Sequence, residues 1–114
     1  MKNELLQKEL IALLGDRFSI SESIRANHAR GEDAYDPILS QAVVFPNSNK
    51  EISDIAKLCN NHKVPIVPFG TGTSLEGQAV GNDQGITLSL ENMNKVLTVN
   101  PEDFDCRVQA NVTR

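Results

Sequence analysis

Val64-Pro-Ile-Val-Pro-Phe-Gly-Thr-Gly-Thr-Ser-Leu-Glu-Gly-Gln-Ala-Val80 is the stretch from which the fold is read. Its first part, Val64 to Val67, is short, rich in β-branched residues and flanked by prolines, and predicts a buried strand. Gly70, Gly72 and Gly77 then fall among the small hydroxyl residues Thr71, Thr73 and Ser74. Glycine accepts positive φ without strain and lets backbone approach another group closely. Main-chain N–H groups arranged in this way can converge on an anion, most often a phosphate.

Two standard phosphate loops do not fit the spacing. The dinucleotide fingerprint G-x-G-x-x-G, counted from Gly70, needs a third glycine where Leu75 stands. The P-loop pattern, counted from Gly72 to Gly77, needs lysine and a hydroxyl residue where Gln78 and Ala79 stand. What remains is a strand followed by a lysine-free glycine-hydroxyl loop suited to binding through N–H groups. A tight turn with no ligand is the alternative reading of the same spacing.

Working outward toward the N-terminus, Ser48-Asn-Lys-Glu51 has the form of a capping box. Ile52, Ile55, Ala56 and Cys59 recur at i, i+3, i+4 and i+7, which predicts a helix to about Asn61 with those four buried. His62 and Lys63 follow at its carboxyl end, where positive charge suits the helix dipole. Ala42 to Phe45, closed by Pro46, predicts the preceding strand. Strand, helix and strand form a βαβ unit, so the glycine loop leaves the carboxyl end of a parallel strand, where ligands of such sheets sit. Further back, Leu5, Leu6, Leu10, Ile11, Leu13 and Leu14 predict a helix over about 2–14 with these residues on one side, stopped by Gly15. Ser21 is a candidate cap for a short helical turn. Residues 28–40 predict a surface loop, in which His28, Glu32, Asp33 and Asp36 are read as solvated rather than metal-binding because no ligand spacing recurs.

Toward the C-terminus, Ile86, Leu88 and Leu90 share one face of a strand. Val96 to Val99 predicts another, and Asn100-Pro-Glu-Asp the turn after it. Cys106, Val108 and Ala110 alternate with Arg107 and Gln109, predicting a strand with one buried and one polar face in a sheet of four or five strands.

Hydrophobic residues make up 39% and charged residues 23% of the 114, an ordinary globular composition. A formal charge of −4, without a cluster of Lys or Arg, argues against nucleic-acid and anionic-membrane surfaces. The absence of tryptophan and the single tyrosine leave little for base stacking. The N-terminal decapeptide alternates charge with leucine, so neither a signal peptide nor a spanning helix is expected. Cys59 and Cys106 form no C-x-x-C pair, and both are expected to be buried, reduced thiols of a cytoplasmic chain.

Pro68-Phe-Gly-Thr-Gly-Thr-Ser-Leu-Glu-Gly77 resembles the flavin pyrophosphate loop of the vanillyl-alcohol-oxidase, or PCMH-type, FAD-binding family. Within that family the chain is most similar to cytochrome-type D-lactate dehydrogenases and the FAD subunit of glycolate oxidase. The likeness continues through Ala42-Val-Val-Phe-Pro46, the helix of Ile52 to Cys59, Leu90-Glu-Asn-Met-Asn-Lys-Val96 and Pro101-Glu-Asp-Phe-Asp-Cys-Arg-Val-Gln-Ala110. One departure stands out: where the family usually reads Val-Gln-Ala/Pro-Gly-Val-Thr, this chain has Asn111 at the glycine position. Asparagine tolerates the left-handed conformation, so the turn is expected to survive.

The resemblance implies an α+β fold, a βαβ unit followed by β-strands, with an N-terminal helix and loop over 1–40 and the first flavin subdomain over 41–114. It implies FAD held by main-chain N–H groups of Gly70, Thr71, Gly72, Thr73 and Ser74, with the Ser74 hydroxyl as a further donor and with Pro68 and Gly77 fixing the two ends of the loop. No histidine or cysteine lies in the loop, so the FAD is expected to be non-covalent. The implied chemistry is oxidation of a 2-hydroxy acid such as D-lactate or glycolate. A quinone, cytochrome or partner subunit would accept the electrons, with the full-length complex peripheral to the inner membrane. The family's substrate and catalytic groups match no position here, so the chain is expected to be a truncated or split product, inactive alone and completed by a complementary chain. Two other readings stay open: a stand-alone phosphate- or nucleotide-binding module, and a structural remnant that binds nothing.

Overall fold

The computed structural model describes residues 1–113. The elements run α1 (Glu4–Leu14), β1 (Phe18–Ser19), α2 (Glu22–Asn27), β2 (Ala42–Val44), α3 (Asn49–Asn61), β3 (Ile66–Phe69), β4 (Ile86–Ser89), β5 (Val96–Asn100) and β6 (Asp105–Val108). They give an α+β fold with two separate sheets among the described residues. One has the order β1-β2-β4-β3 and the other is the β5-β6 ribbon.

The βαβ unit forms as expected, with one change of order. β2 and β3 are both parallel to β4, which lies between them, with Val43 and Val67 each opposite Thr87. β1 adds an antiparallel edge, Phe18 opposite Val44. The second strand begins two residues later than Val64. Lys63 takes φ 55° after α3, and the Val64 N–H is spent on the Cys59 carbonyl at 2.9 Å, so the ladder starts at Ile66.

One face of the large sheet carries Ala42, Val44, Ile86 and Leu88, packed with Leu6, Leu10 and Leu14 of α1 and Ile55 and Cys59 of α3. Each Leu or Ile removed from water there contributes about 1.5–3 kcal/mol. The α1 stripe is narrower than expected: burial follows i, i+4 and i+8, leaving Leu5 and Ile11 exposed. Ala56 is likewise exposed, one position outside the α3 seam. α1 starts at Asn3, whose Oδ1 accepts the Leu6 N–H, and stops at Gly15, φ 61°. Helix α3 has half the expected capping box. The Ser48 hydroxyl accepts the Glu51 N–H at 3.2 Å, but the Glu51 carboxylate takes the Asn47 N–H and both terminal nitrogens of Arg17 instead. Ser21 precedes α2 without a capping hydrogen bond; its hydroxyl lies 3.1 Å from that of Ser23. His62 ties the end of α3 to α1, with Nδ1 3.2 Å from Asn3 Nδ2 and Nε2 3.3 Å from Glu9 Oε2.

The opposite face, carrying Val43, Thr87, Ser89 and Phe69, is covered by the segment after α2. That segment is more than a surface loop, since Ala29 and Ser40 are buried in it. Ser40 Oγ accepts from the Thr87 hydroxyl at 2.8 Å and from the Asn82 N–H at 3.0 Å.

The ribbon departs furthest from the alternation in its sequence. Every residue of β5 and β6 is exposed, including Cys106, which was expected inside. Only Cys59 is a buried thiol, and burial pushes it up to about 11.

Candidate functional site

β2, β3 and β4 point the same way, so the segments after Phe69 and Ser89 leave the sheet at one end. There the glycine loop rests on a short stack of rings. Gly72 has φ 75°, and a Cβ built on it would fall 2.7 Å from Phe69 Cζ. The Phe69 ring lies 4.6 Å from the His28 ring, which meets Phe45 edge-on at 5.6 Å. His28 is held at both nitrogens, Nδ1 at 2.8 Å from the Ile24 carbonyl and Nε2 at 3.3 Å from the Ser89 hydroxyl. A carbonyl only accepts, so Nδ1 is the donor to Ile24. His28 therefore props the loop and has no nitrogen left for a metal. No cluster of three His, Cys, Asp or Glu side chains placed to hold a metal ion exists among the described residues.

The loop is also pressed from above. A Cβ on Gly31 would lie 2.6 Å from Ser74 Oγ, and one on Gly77, φ 84°, would lie 3.1 Å from the Tyr35 ring. A side chain at 31 would force Ser74 to shift, and the positive φ at 77 favours glycine.

Between these supports the backbone is left with donors to spend. Among the described residues, no N–H from Gly70 to Leu75 reaches a backbone or side-chain acceptor. Ser74 Oγ is buried and has no hydrogen-bond partner, whereas Thr71 and Thr73 share a hydroxyl contact of 3.2 Å. Pro68 and Gly70 to Ser74 form one wall of a cleft of about 390 Å³, and Ala110 to Thr113 form the other. No acidic or basic side chain lines it among the described residues. A row of unspent N–H dipoles, one orphaned hydroxyl and no carboxylate make a donor set that fits an anionic group such as a pyrophosphate. Of the residues marked in the sequence, Pro68, Gly70, Thr71, Gly72, Thr73 and Ser74 come together at this cleft; Gly77 lies apart, under Tyr35.

Sequence reasoning did not count Asn111 among the site residues, although it had noticed the substitution. Asn111 is not in a left-handed conformation, so the turn never needed one. Its side chain stands across from Gly70 in the cleft.

Residues 40–114 match the family described as an FAD binding domain. The chain is 41% identical over 96 residues to a probable mitochondrial D-lactate dehydrogenase of Danio rerio, covering 84% of this chain and 19% of that protein. It is 32% identical over 108 residues to glycolate oxidase subunit GlcD of Bacillus subtilis (strain 168), covering 94% and 23%. The chain thus spans about one fifth of the length of the curated relatives that it matches. Among solved structures, alkyldihydroxyacetonephosphate synthase superposes with a TM-score of 0.88 at 22% identity, over 98% of this chain and 25% of that one. p-Cresol methylhydroxylase superposes at 0.71 with 26% identity, over 89% and 20%. Among the described residues no helix is long and apolar enough to cross a membrane. In sequence and in fold, the chain belongs to the FAD-binding domains of FAD-linked oxidoreductases like D-lactate dehydrogenase and glycolate oxidase.

Proposed function

We propose that the loop from Gly70 to Ser74 holds the pyrophosphate of FAD, non-covalently, within an oxidoreductase that acts on a 2-hydroxy acid such as D-lactate or glycolate. One observation carries this reading: Gly70 to Ser74 line a cleft, and among the described residues neither their five consecutive N–H groups nor the buried Ser74 hydroxyl has an internal partner. Each hydrogen bond to a charged group contributes about 1.5–3 kcal/mol. The pyrophosphate would replace contacts that the loop otherwise makes with water.

FAD supplies the redox chemistry when bound, accepting hydride from the substrate. The part of this chain is to bind and orient. His28 and Phe69 hold the loop from beneath, Gly31 and Tyr35 hold it from above, and Ser74 donates at its far end. Residues 41–114 form the flavin-binding subdomain in this reading, 1–40 its helical and looped cover, and a complementary chain or domain brings the substrate.

Titration of the purified chain with FAD, followed by flavin fluorescence and thermal melting, tests the reading. Saturable binding is expected. It should be lost in Gly72→Val, whose side chain meets Phe69, and weakened about tenfold in Ser74→Ala, with a cooperative melt in the latter. A wild-type chain that melts cooperatively yet binds no FAD would contradict the proposal.

A further inference from the structure

We infer that Asn111 is a side-chain donor to the anion held by the glycine loop, and that it is matched in shape to Gly70; this rests on the pyrophosphate reading above. The position is well anchored. The Asn111 N–H donates to the Met93 carbonyl at 2.9 Å, Gln109 N–H to Lys95 at 2.9 Å, and Met93 is 1% exposed. The backbone at 111 has no positive φ, so conformation does not dictate the residue there. The side chain is the feature to explain.

That side chain is half-buried, lines the cleft, and makes no hydrogen bond with the described residues. Its Oδ1 lies 3.2 Å from the point where a Cβ on Gly70 would stand. With the oxygen turned to Gly70, the two Nδ2 donors are left for a group bound in the cleft. They extend the row of main-chain N–H groups across to the opposite wall, giving the anion donors from two sides. A carboxamide with unspent donors in a cleft that, among the described residues, has no carboxylate is poorly used unless an acceptor arrives. A methyl group at position 70 would press on Asn111 and require its side chain to give by a few tenths of an ångström.

FAD, ADP and inorganic pyrophosphate titrations of the wild type, Asn111→Gly, Asn111→Ser and Asn111→Asp test this, each variant first shown to melt cooperatively. Asn111→Gly should weaken all three ligands about tenfold, the loss of one hydrogen bond to a charged group. Asn111→Ser, which keeps a donor, should lose less, and Asn111→Asp more. Gly70→Ala should cost less affinity in the Asn111→Gly background than alone. Equal or tighter binding by Asn111→Gly would overturn the inference and leave the pyrophosphate loop standing. A loss confined to FAD, with ADP and pyrophosphate unchanged, would overturn the assignment to the anion. A wild type that binds none of the three overturns the loop reading, and this inference with it.

Discussion

β4 and β5 are built from much the same residues, Ile86-Thr-Leu-Ser89 and Val96-Leu-Thr-Val-Asn100, yet every residue of the first is buried and every residue of the second exposed. Both have the apolar, β-branched composition that favours extended chain. Their fates differ because β4 runs between two parallel neighbours with helices on one face and the segment after α2 on the other, while β5 pairs only with β6. A strand pattern therefore reports which residues share a face, and coverage decides whether that face is core. The glycine loop belongs to the covered half, and its geometry is fixed by core contacts at Phe69.

The contrast should be widest in thiol chemistry. Cys106 in the ribbon is expected to react with a thiol reagent at the rate of a free cysteine. Cys59, buried and raised to about 11, should react about a thousandfold or more slowly, because labelling needs the core to open. Comparable rates would mean that the sheet is no better protected than the ribbon.

Truncation should give the next largest difference. Ile86→Ala is expected to cost about 2–5 kcal/mol in a denaturant melt, against about 0.5 kcal/mol or less for Val99→Ala. Similar losses at the two sites would abolish the distinction.

A smaller effect comes from the ion pair that locks α3 to the turn before β1. The Arg17 guanidinium, 2.6 Å from Glu51, holds that carboxyl at about 2 against the opposing effect of burial, with help from the Asn47 N–H. A depressed carboxylate stabilises the fold above its ordinary value of 4.5, and the contribution disappears as pH falls from there through about 2. Glu51→Gln should therefore cost about 1–2 kcal/mol at pH 7, and the gap to the wild type should narrow toward pH 2. A gap independent of pH would remove the pair from the account.

The smallest change lies at the tip of the ribbon, where Phe104 has φ 56° and is 97% exposed. Phe104→Gly should raise stability by up to about 1 kcal/mol, since the side chain buries nothing and glycine removes the strain. A loss of stability would show that the ribbon tip has contacts of its own.

Much of the covered half was legible in the sequence. Of the clustered Gly70, Gly72 and Gly77 the last two take the positive φ that the clustering implied, and the i, i+3, i+4, i+7 spacing of Ile52, Ile55, Ala56 and Cys59 found α3, although Ala56 is exposed. The two-residue β1 was not, because Phe18 and Ser19 are too few to show a period. The place of β4 between β2 and β3 depends on pairing across the sheet, which local spacing does not encode. The same holds for His28 under Phe69 and Gly31 against Ser74: each contact joins residues distant in sequence, and nothing in 28–40 marks it as a clamp. At the site, the loop donors were readable from glycine and hydroxyl content. The opposing wall was noticed only as an asparagine where the family has glycine, and its role depends on a distance to Gly70 that only folding creates.

The most direct test of the central claim is to follow backbone amide resonances of the chain during titration with FAD. Those of Gly70, Thr71, Gly72, Thr73 and Ser74 are expected to move together and saturate, while those of β5 and β6 stay in place. Saturable binding that leaves these five amides unmoved, or shifts confined to the ribbon, would contradict it.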